Sequence, residues 1–148
     1  DGAPSMLSMA RQRLDNQPEH LRERITLLEE TIPSSGLPAA HYDAVTSNSL
    51  LHHLGDPLDL WLTALHCLKP GGRLLVMDLL RPGSEIARDA LVETHALNEP
   101  VVLGRECRIA LGAAYTVDAV KAQMRGAGVP GYRVGAVSDR HVGVIGLG

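Results

Sequence analysis

Apolar residues recur every three or four positions in several stretches of the chain, which is the spacing of a helix with one buried face. The first stretch covers about residues 4–16 and opens on Pro4, a residue suited to the first helical turn. The second covers about residues 57–68 and is followed by KPGG, whose proline and glycines predict the end of the helix. Further helices are predicted at about residues 84–97, 106–113 and 117–127.

Other stretches are rich in aliphatic and β-branched residues and are bounded by turns, as strands are. Strands are predicted at RITLLEE (24–30), around Tyr42 to Ser47, and at RLLVMDLL (73–80). The continuous apolar run of RLLVMDLL is typical of a parallel strand that is buried on both faces. Residues 132–138 and 141–147 read as an antiparallel hairpin at one edge. The pattern predicts one α/β domain over residues 1–148 with a mostly parallel sheet.

Composition narrows the class of protein. The 148 residues are 45% hydrophobic and 21% charged, as in an ordinary globular domain. The formal net charge of -3 provides no broad cationic field, so nucleic acid is not an expected partner. No apolar run approaches the roughly 20 residues that cross a bilayer, and no targeting segment is visible, so we expect no membrane partner and a cytoplasmic location.

The two cysteines give no sign of a metal site or a disulfide framework. Cys67 and Cys107 are far apart, and neither has a second cysteine or a histidine at metal-ligand spacing. We therefore predict two buried free thiols and no bound metal.

Three segments in a fixed order resemble the class I S-adenosylmethionine-dependent methyltransferases of the small-molecule type. They are YDAVTSNSLLHHLGDP, LKPGGRLLVMDLLRP and the terminal hairpin, and DGAPSMLSMAR resembles the family segment after the second strand. The most specific part is SNSLLHHL followed by KPGGRLLVMD. The resemblance implies a Rossmann-like methyltransferase sheet that is mostly parallel and ends in an antiparallel hairpin.

The family's first two strands and its glycine-rich loop have no counterpart in this sequence, which starts at Asp1 and not at a methionine. We expect that the chain is truncated at its N-terminus and that its sheet is incomplete. The missing loop is the one whose backbone N–H groups approach the cofactor's carboxylate. The strand near Ile25 to Glu29 would lack its usual neighbour, and a bare strand edge invites association. We expect a homo-oligomer through this segment, or an altered strand order.

The resemblance also implies residues that bind S-adenosylmethionine. Asp1 would accept hydrogen bonds from the ribose hydroxyls. Glu30, with Thr31 beside it, would face the adenine, and Glu29 competes for that assignment. Ser47, Asn48 and Ser49 follow a strand at its carboxyl end, where open α/β sheets bind ligands, and would face the methionine part.

Candidate catalytic residues are few, and each has a structural alternative. His52 and His53 are of the usual general-base type, yet no acid stands at ligand spacing and a turn at LLHHLGDP also explains them. The family often keeps a histidine at the position of His53, which makes it the better candidate. Asp78 either acts in catalysis or ends its strand and accepts a backbone N–H. Three further side chains either bind an acidic substrate or are ordinary surface charges: Arg81, Arg140 and His141.

The resemblance implies that the complete protein transfers a methyl group from S-adenosylmethionine to an unidentified small molecule, largely by positioning the two for in-line transfer. Residues 84–115 would then cover the substrate, and this chain alone would bind cofactor poorly. The alternative is a non-catalytic module that acts through oligomerisation or by complementing a partner chain. A nicotinamide-dependent oxidoreductase also places an acid after its second strand, but KPGG before a strand and the terminal hairpin argue against that class.

Overall fold

The structure, a computed structural model, describes residues 1–34, 36–96, 100–128 and 131–147. It divides into two compact units, Asp1–Leu37 and Pro38–Gly148. Among the described residues, the smaller unit contains two helices, and the larger contains a four-stranded sheet with four helices. The organisation of the chain as a single domain stays a prediction.

The smaller unit opens with helix α1, Pro4–Asp15, as the apolar spacing predicted. Pro4 stands in its first turn, where the missing N–H has no helical partner to lose. Leu7 is the buried residue of this helix. A short second helix, α2 at Glu19–Arg22, was not predicted, because four residues are too few to show a periodic pattern.

The strand predicted at RITLLEE is wrong. Residues 25–31 belong to no helix or strand. The nitrogen of Asp1 donates to the Leu28 carbonyl at 3.2 Å, and the Glu30 N–H donates to the Asp1 carbonyl at 3.2 Å. These two bonds around Glu29 have the pattern of a parallel pair, but only one residue lies alongside, and a ladder needs consecutive partners.

The sheet of the larger unit contains the four other predicted strands. They are β1 Tyr42–Asn48, β2 Leu68–Leu79, β3 Arg133–Ala136 and β4 His141–Leu147. Their order in the sheet is β1-β2-β4-β3. β1 and β2 are parallel, and β4 is antiparallel to both β2 and β3, so three strands run one way and one is reversed. The predicted α/β class and the mostly parallel sheet with its hairpin are confirmed.

Four helices and one short turn connect these strands. The helices are α3 Leu58–Cys67, α4 Glu85–Ala96, α5 Val101–Ala113 and α6 Val117–Gly126, and a 3-10 turn spans Leu51–His53. α5 begins five residues earlier than the apolar pattern predicted, and Leu97, the predicted end of α4, lies outside the described residues. α3 contacts β1, β2 and α6, while α4 packs with α5.

The core lies on one face of the sheet, which corrects the prediction that β2 is buried on both faces. Leu74 and Val76 are each 1% exposed and lie on the same side as Trp61 of α3, which is fully buried. The alternate residues of β2 face the other way. That face, called the open face below, exposes Leu75 by 48%, Met77 by 38% and Ile145 by 57%. Within the part of the chain that the structure describes, the apolar run of β2 therefore faces a packed layer on one side.

KPGG was predicted to cap the end of α3, but it forms an irregularity inside β2 instead. α3 ends at Cys67 and β2 begins at the next residue. Tyr42 lies opposite Leu68, while Ala44 lies opposite Arg73, so β2 bulges between these pairs. Gly71 has a φ of 77°, which is left-handed and favours glycine.

The cysteines bear out half of the prediction made for them. Cys67 is buried, and burial raises the pKa of its thiol. Cys107, on α5, is only half-buried. Within the described ranges, no group of three or more metal-ligating side chains could hold a metal ion, and no helix is long and apolar enough to cross a membrane.

Gly72 should be hard to replace, because a Cβ there would lie 2.8 Å from Leu68 Cδ2 and 2.9 Å from the Lys69 carbonyl oxygen. We expect Gly72→Ala to lower the free energy of unfolding by about 1–3 kcal/mol, since the backbone of the bulge must shift. Urea denaturation measures the change. Gly83→Ala is the control, because an added Cβ there meets nothing within 4 Å. Equal stability of the two variants would contradict this account of the bulge.

Candidate functional site

The candidate site of the larger unit lies at the carboxyl ends of β1 and β2. β1 ends at Asn48, and the chain then turns at Ser49, whose φ is 55°. The Ser49 N–H donates to the Met77 carbonyl at 2.9 Å, which keeps the turn beside β2. Left-handed backbone in a residue other than glycine costs energy and is concentrated at functional sites.

Asp78 links this turn to β2. Its carboxylate is 1% exposed. Oδ2 accepts the Leu51 N–H at 2.7 Å, and Oδ1 accepts the Leu79 N–H at 2.8 Å. His52 Nδ1 lies 2.7 Å from the same Oδ1. The buried carboxylate thus has polar partners for both oxygens, as a buried charged group requires. This geometry supports the second interpretation of Asp78, a strand-end acceptor, and its catalytic role stays a prediction.

The pair of His52 and Asp78 was not predicted, since by local spacing only an acid close to the histidines in sequence would have suggested it. The two residues are 26 positions apart. Their side chains are 4% and 1% exposed, so the pair is built into the fold. The sequence did contain a signal for this pair. His52 follows β1 and Asp78 lies at the end of β2, and the carboxyl ends of two parallel neighbouring strands lie together.

His53 differs from His52 in its surroundings. It is exposed, and its ring centroid lies 4.0 Å from that of His52. A ligand at this edge could therefore reach His53 more readily than the buried His52. A catalytic role for His53 stays a prediction.

The structure brings together two of the three polar residues predicted at the end of β1. Ser47 lies opposite Val76, on the buried face, whereas Asn48 lies opposite Met77, on the open face. Successive residues of a strand point to opposite faces, so these two cannot contact one ligand on one face. Ser49 Oγ donates to Asn48 Oδ1 at 3.3 Å, and both residues are exposed. Ser47 Oγ is buried without a hydrogen-bond partner among the described residues.

The smaller unit brings together the residues predicted to face ribose and adenine. Asp1 and Glu30 are joined by the backbone hydrogen bond described above, and Thr31 follows Glu30. Asp1 Oδ1 accepts the Ala3 N–H at 2.8 Å, and Glu30 Oε2 accepts the Ser34 hydroxyl at 2.7 Å. Each carboxylate has two oxygens, so one such bond leaves acceptor capacity for hydroxyl or amino groups. The residues present therefore fit the adenosine part of the cofactor.

Glu29 and Glu30 both remained candidates for the predicted contact with adenine, and they differ in their surroundings. Glu30 is half-buried and its carboxylate is held by Ser34, while Glu29 is exposed. A Cβ on Gly36 would lie 2.6 Å from Glu30 Oε1, so the glycine makes room for this carboxylate. An oriented carboxylate suits a specific contact better than a freely moving one. The geometry favours Glu30.

A second polar cluster surrounds the turn between β3 and β4. His95 Nε2 lies 2.8 Å from Asp139 Oδ2, and Ser138 Oγ lies 2.8 Å from His141 Nδ1. The hydrogen bond from His95 lowers the pKa of the Asp139 carboxyl. Burial and, secondarily, the charge of Arg140 lower the pKa of His141. His95 and Asp139 were not predicted from the sequence, because nothing local connects residues 44 positions apart.

Arg81, Arg140 and His141 were predicted near the sheet's edge, and the structure places them there. His141 is opposite Leu79, at the end of β2. The Leu80 N–H donates to the Arg140 carbonyl at 2.8 Å. Arg81 follows β2, and its guanidinium donates to the Gly112 carbonyl at 2.9 Å.

The family is decided by a sequence comparison in which residues 1–74, half of the 148, match the family model described as a methyltransferase domain. The chain belongs to the methyltransferase domain family. The predicted membership of the class I S-adenosylmethionine-dependent methyltransferases is thereby confirmed. A search of curated protein sequences finds no match.

Several solved structures share the fold of the chain, and two of them, from Aquifex aeolicus and Thermotoga maritima, are described as SAM-dependent methyltransferases. The chain is 17% identical to a SAM-dependent methyltransferase from Aquifex aeolicus, with a TM-score of 0.67, over 99% of this chain and 65% of that one. A possible histamine N-methyltransferase from Thermotoga maritima is 17% identical, with a TM-score of 0.67, over 99% of this chain and 70% of that one. A possible exported protein from Bordetella parapertussis is 22% identical, with a TM-score of 0.71, over 99% of this chain and 51% of that one. This methyltransferase-domain chain thus spans 51 to 70% of the length of these proteins, and the likeness concerns the fold.

The buried carboxylate of Asp78 should be essential to stability. Asp78→Asn keeps the shape but turns one acceptor oxygen into an NH2 group that faces a backbone donor, either the Leu51 N–H or the Leu79 N–H. We expect the free energy of unfolding to fall by about 2–4 kcal/mol in chemical denaturation. Asp43→Asn is the matched control, because it removes only the exposed ion pair with Lys69, and such pairs contribute little. Similar losses in both variants would rule out the proposed role of Asp78.

The charge state of His141 should report its surroundings. Its folded pKa is lowered from the ordinary value of 6.5, so the unfolded chain binds this proton more readily. Stability owed to His141 therefore decreases as the pH falls from above 6.5 towards the folded pKa. An NMR titration of its ring should give a midpoint below 6.5, and Arg140→Gln should raise that midpoint. Arg125→Gln, on α6, should leave it unchanged; a midpoint above 6.5 would show that burial is not the dominant effect.

Proposed function

We propose that the complete protein transfers a methyl group from S-adenosylmethionine to a small-molecule acceptor. The observation that carries the proposal is the carboxyl edge of β1 and β2, where Asn48 and the left-handed Ser49 are exposed in a chain of the methyltransferase domain family. Ligands of open α/β sheets bind at such edges. The net charge of -3 favours a small acceptor over nucleic acid.

The roles proposed for the residues of each unit follow the resemblance to the family. Asp1 accepts hydrogen bonds from the ribose hydroxyls, and Glu30 with Thr31 contacts the adenine. Asn48 and Ser49 face the methionine part, while Ser47 supports them from the buried face of β1. S-adenosylmethionine supplies a methyl group on a positively charged sulfur. The protein's contribution is to hold the acceptor and this group in line, which requires few acid or base residues.

The isolated chain is expected to bind the cofactor weakly. In the part of the chain that the structure describes, no strand leads through a glycine-rich loop into a helix. That arrangement presents several backbone N–H groups to an anion, here the carboxylate of the methionine part. Asn48 and Ser49 offer fewer donors.

A second candidate function is a non-catalytic module that is completed by another copy or by a partner chain. The observation in its favour is the exposure of apolar side chains at two places. Ile25 and Leu28 are each 47% exposed in the segment predicted to lack its neighbour. The open face exposes further apolar side chains, and such patches mark interaction surfaces. We propose that association through residues 25–29 produces a homo-oligomer.

Isothermal titration with S-adenosylhomocysteine, the demethylated product, tests the proposed function. We expect saturable binding, and Glu30→Gln should weaken it about tenfold, as the loss of one hydrogen bond to a charged group does. Glu29→Gln is the matched control and should leave the affinity unchanged, because Glu29 is exposed.

Absence of binding at millimolar ligand would contradict the cofactor-binding roles given to the residues of this chain and would favour the second function. Analytical ultracentrifugation then decides whether the chain associates. Leu28→Glu should shift the equilibrium towards monomer if residues 25–29 form the interface. A monomer at all concentrations would contradict the second function.

A further inference from the structure

A cavity of about 410 Å³ lies beyond the end of β2, between α4 and the turn that joins β3 to β4. One wall is the segment that follows β2, including Leu80 and Arg81. The opposite wall is the face of α4 that carries Ala87, Ala90 and Leu91. Two alanines facing the cavity leave space that larger side chains would fill. The volume falls within the range of small-molecule sites, at its lower end.

Two side chains of opposite charge line this otherwise largely apolar cavity, and they are Arg81 and Asp139. Asp139 uses Oδ2 to bind His95 Nε2 at 2.8 Å, which leaves its other oxygen for a ligand. Arg81 uses one guanidinium N–H to bind the Gly112 carbonyl at 2.9 Å, and a guanidinium has five such donors. The ion pairs of the described residues join Asp139 to His95 and do not join it to Arg81.

A purely structural explanation accounts for part of this arrangement. Gly112 lies in the last turn of α5, so Arg81 satisfies a carbonyl at a helix end, a common role for arginine. The backbone of Arg81 is also fixed, since its N–H donates to the Tyr115 carbonyl at 3.0 Å. These contacts explain where Arg81 is held, but they do not explain why an arginine and an aspartate that are not paired with each other line the same largely apolar cavity. Arg81 is held by these contacts and Asp139 by its contact with His95, and groups already held in place favour binding because little order remains to be imposed.

We propose that this cavity holds the methyl acceptor, and that the acceptor is a small zwitterion with an apolar body. Its carboxylate binds Arg81, and its ammonium or amine group binds Asp139. The acceptor role rests on the proposed methyltransferase function, whereas the binding of such a molecule does not. The apolar body lies against Leu80 and Leu91.

The probe is 4-(aminomethyl)benzoate, which carries both charges on an apolar ring. Benzoate and benzylamine are its matched halves, each with one charge. We expect the zwitterion to bind the full chain, in the absence of cofactor, more tightly than either half by about tenfold or more. Isothermal titration gives the affinities, and the amide shifts of Gly83 and Leu91 in two-dimensional NMR locate the site.

Two variants should separate the two ends of the cavity. Arg81→Gln should weaken the zwitterion and benzoate about tenfold and leave benzylamine unchanged. Asp139→Asn should weaken the zwitterion and benzylamine and leave benzoate unchanged. Arg105→Gln and Asp118→Asn are the matched controls, because both side chains are exposed and neither lines the cavity. A merely structural role of Arg81 or Asp139 would weaken all three probes alike.

The inference is overturned if the zwitterion binds no more tightly than its halves, or if its shifts fall outside the cavity, or if each variant weakens all probes equally. The titration with S-adenosylhomocysteine is a separate measurement, so failure of the cofactor site and failure of this cavity are distinguishable.

Discussion

The carboxylate of Asp78 is the interaction on which the candidate site of the larger unit depends. It lies at the end of β2, is almost fully buried, and accepts the backbone N–H of Leu51. The chain leaves the sheet at the left-handed Ser49 and continues into the 3-10 turn Leu51–His53, which has no ladder of its own. Without a buried acceptor, the Leu51 N–H would be an unsatisfied donor in the core, which costs about 1–3 kcal/mol. The Asp78 side chain therefore helps to hold the loop that presents Ser49 and His53.

The strands and helices of the larger unit could be predicted because each has its own local pattern. The four strands and α3, α4 and α6 follow from the periodicity of apolar residues and from turn residues between them. The segment at 24–30 has the same kind of pattern and yet forms no strand. A strand exists only when a neighbour supplies consecutive hydrogen bonds, and here a single residue, Asp1, does so. Local pattern predicts the capacity to form a strand, and pairing decides the outcome.

The candidate site was predictable only in part, because local sequence identifies single residues but not contacts between residues far apart along the chain. Positions such as Asn48 and Glu30 were identified because each follows an apolar run in a segment that resembles the family. The pairs that organise the site, His52 with Asp78 and His95 with Asp139, join residues 26 and 44 positions apart. Such pairs become visible only once the order of the strands is known. Ser47 and Asn48 show the converse, since neighbours in sequence lie on opposite faces of β1.

The reversed strand explains why so many polar groups collect at one edge of the sheet. β1 and β2 end there, and β4, being antiparallel, begins there. Because β3 runs in the same direction as β2, the turn from β3 to β4 also lies at this edge. The charged residues of that turn, Asp139 and Arg140, therefore meet the segment that follows β2. In a sheet whose strands were all parallel, a hairpin turn could not lie there, because parallel neighbours need long crossovers. The reversal places a short, rigid, charged turn beside the ends of the parallel strands, and the cavity beside Arg81 is the space between them.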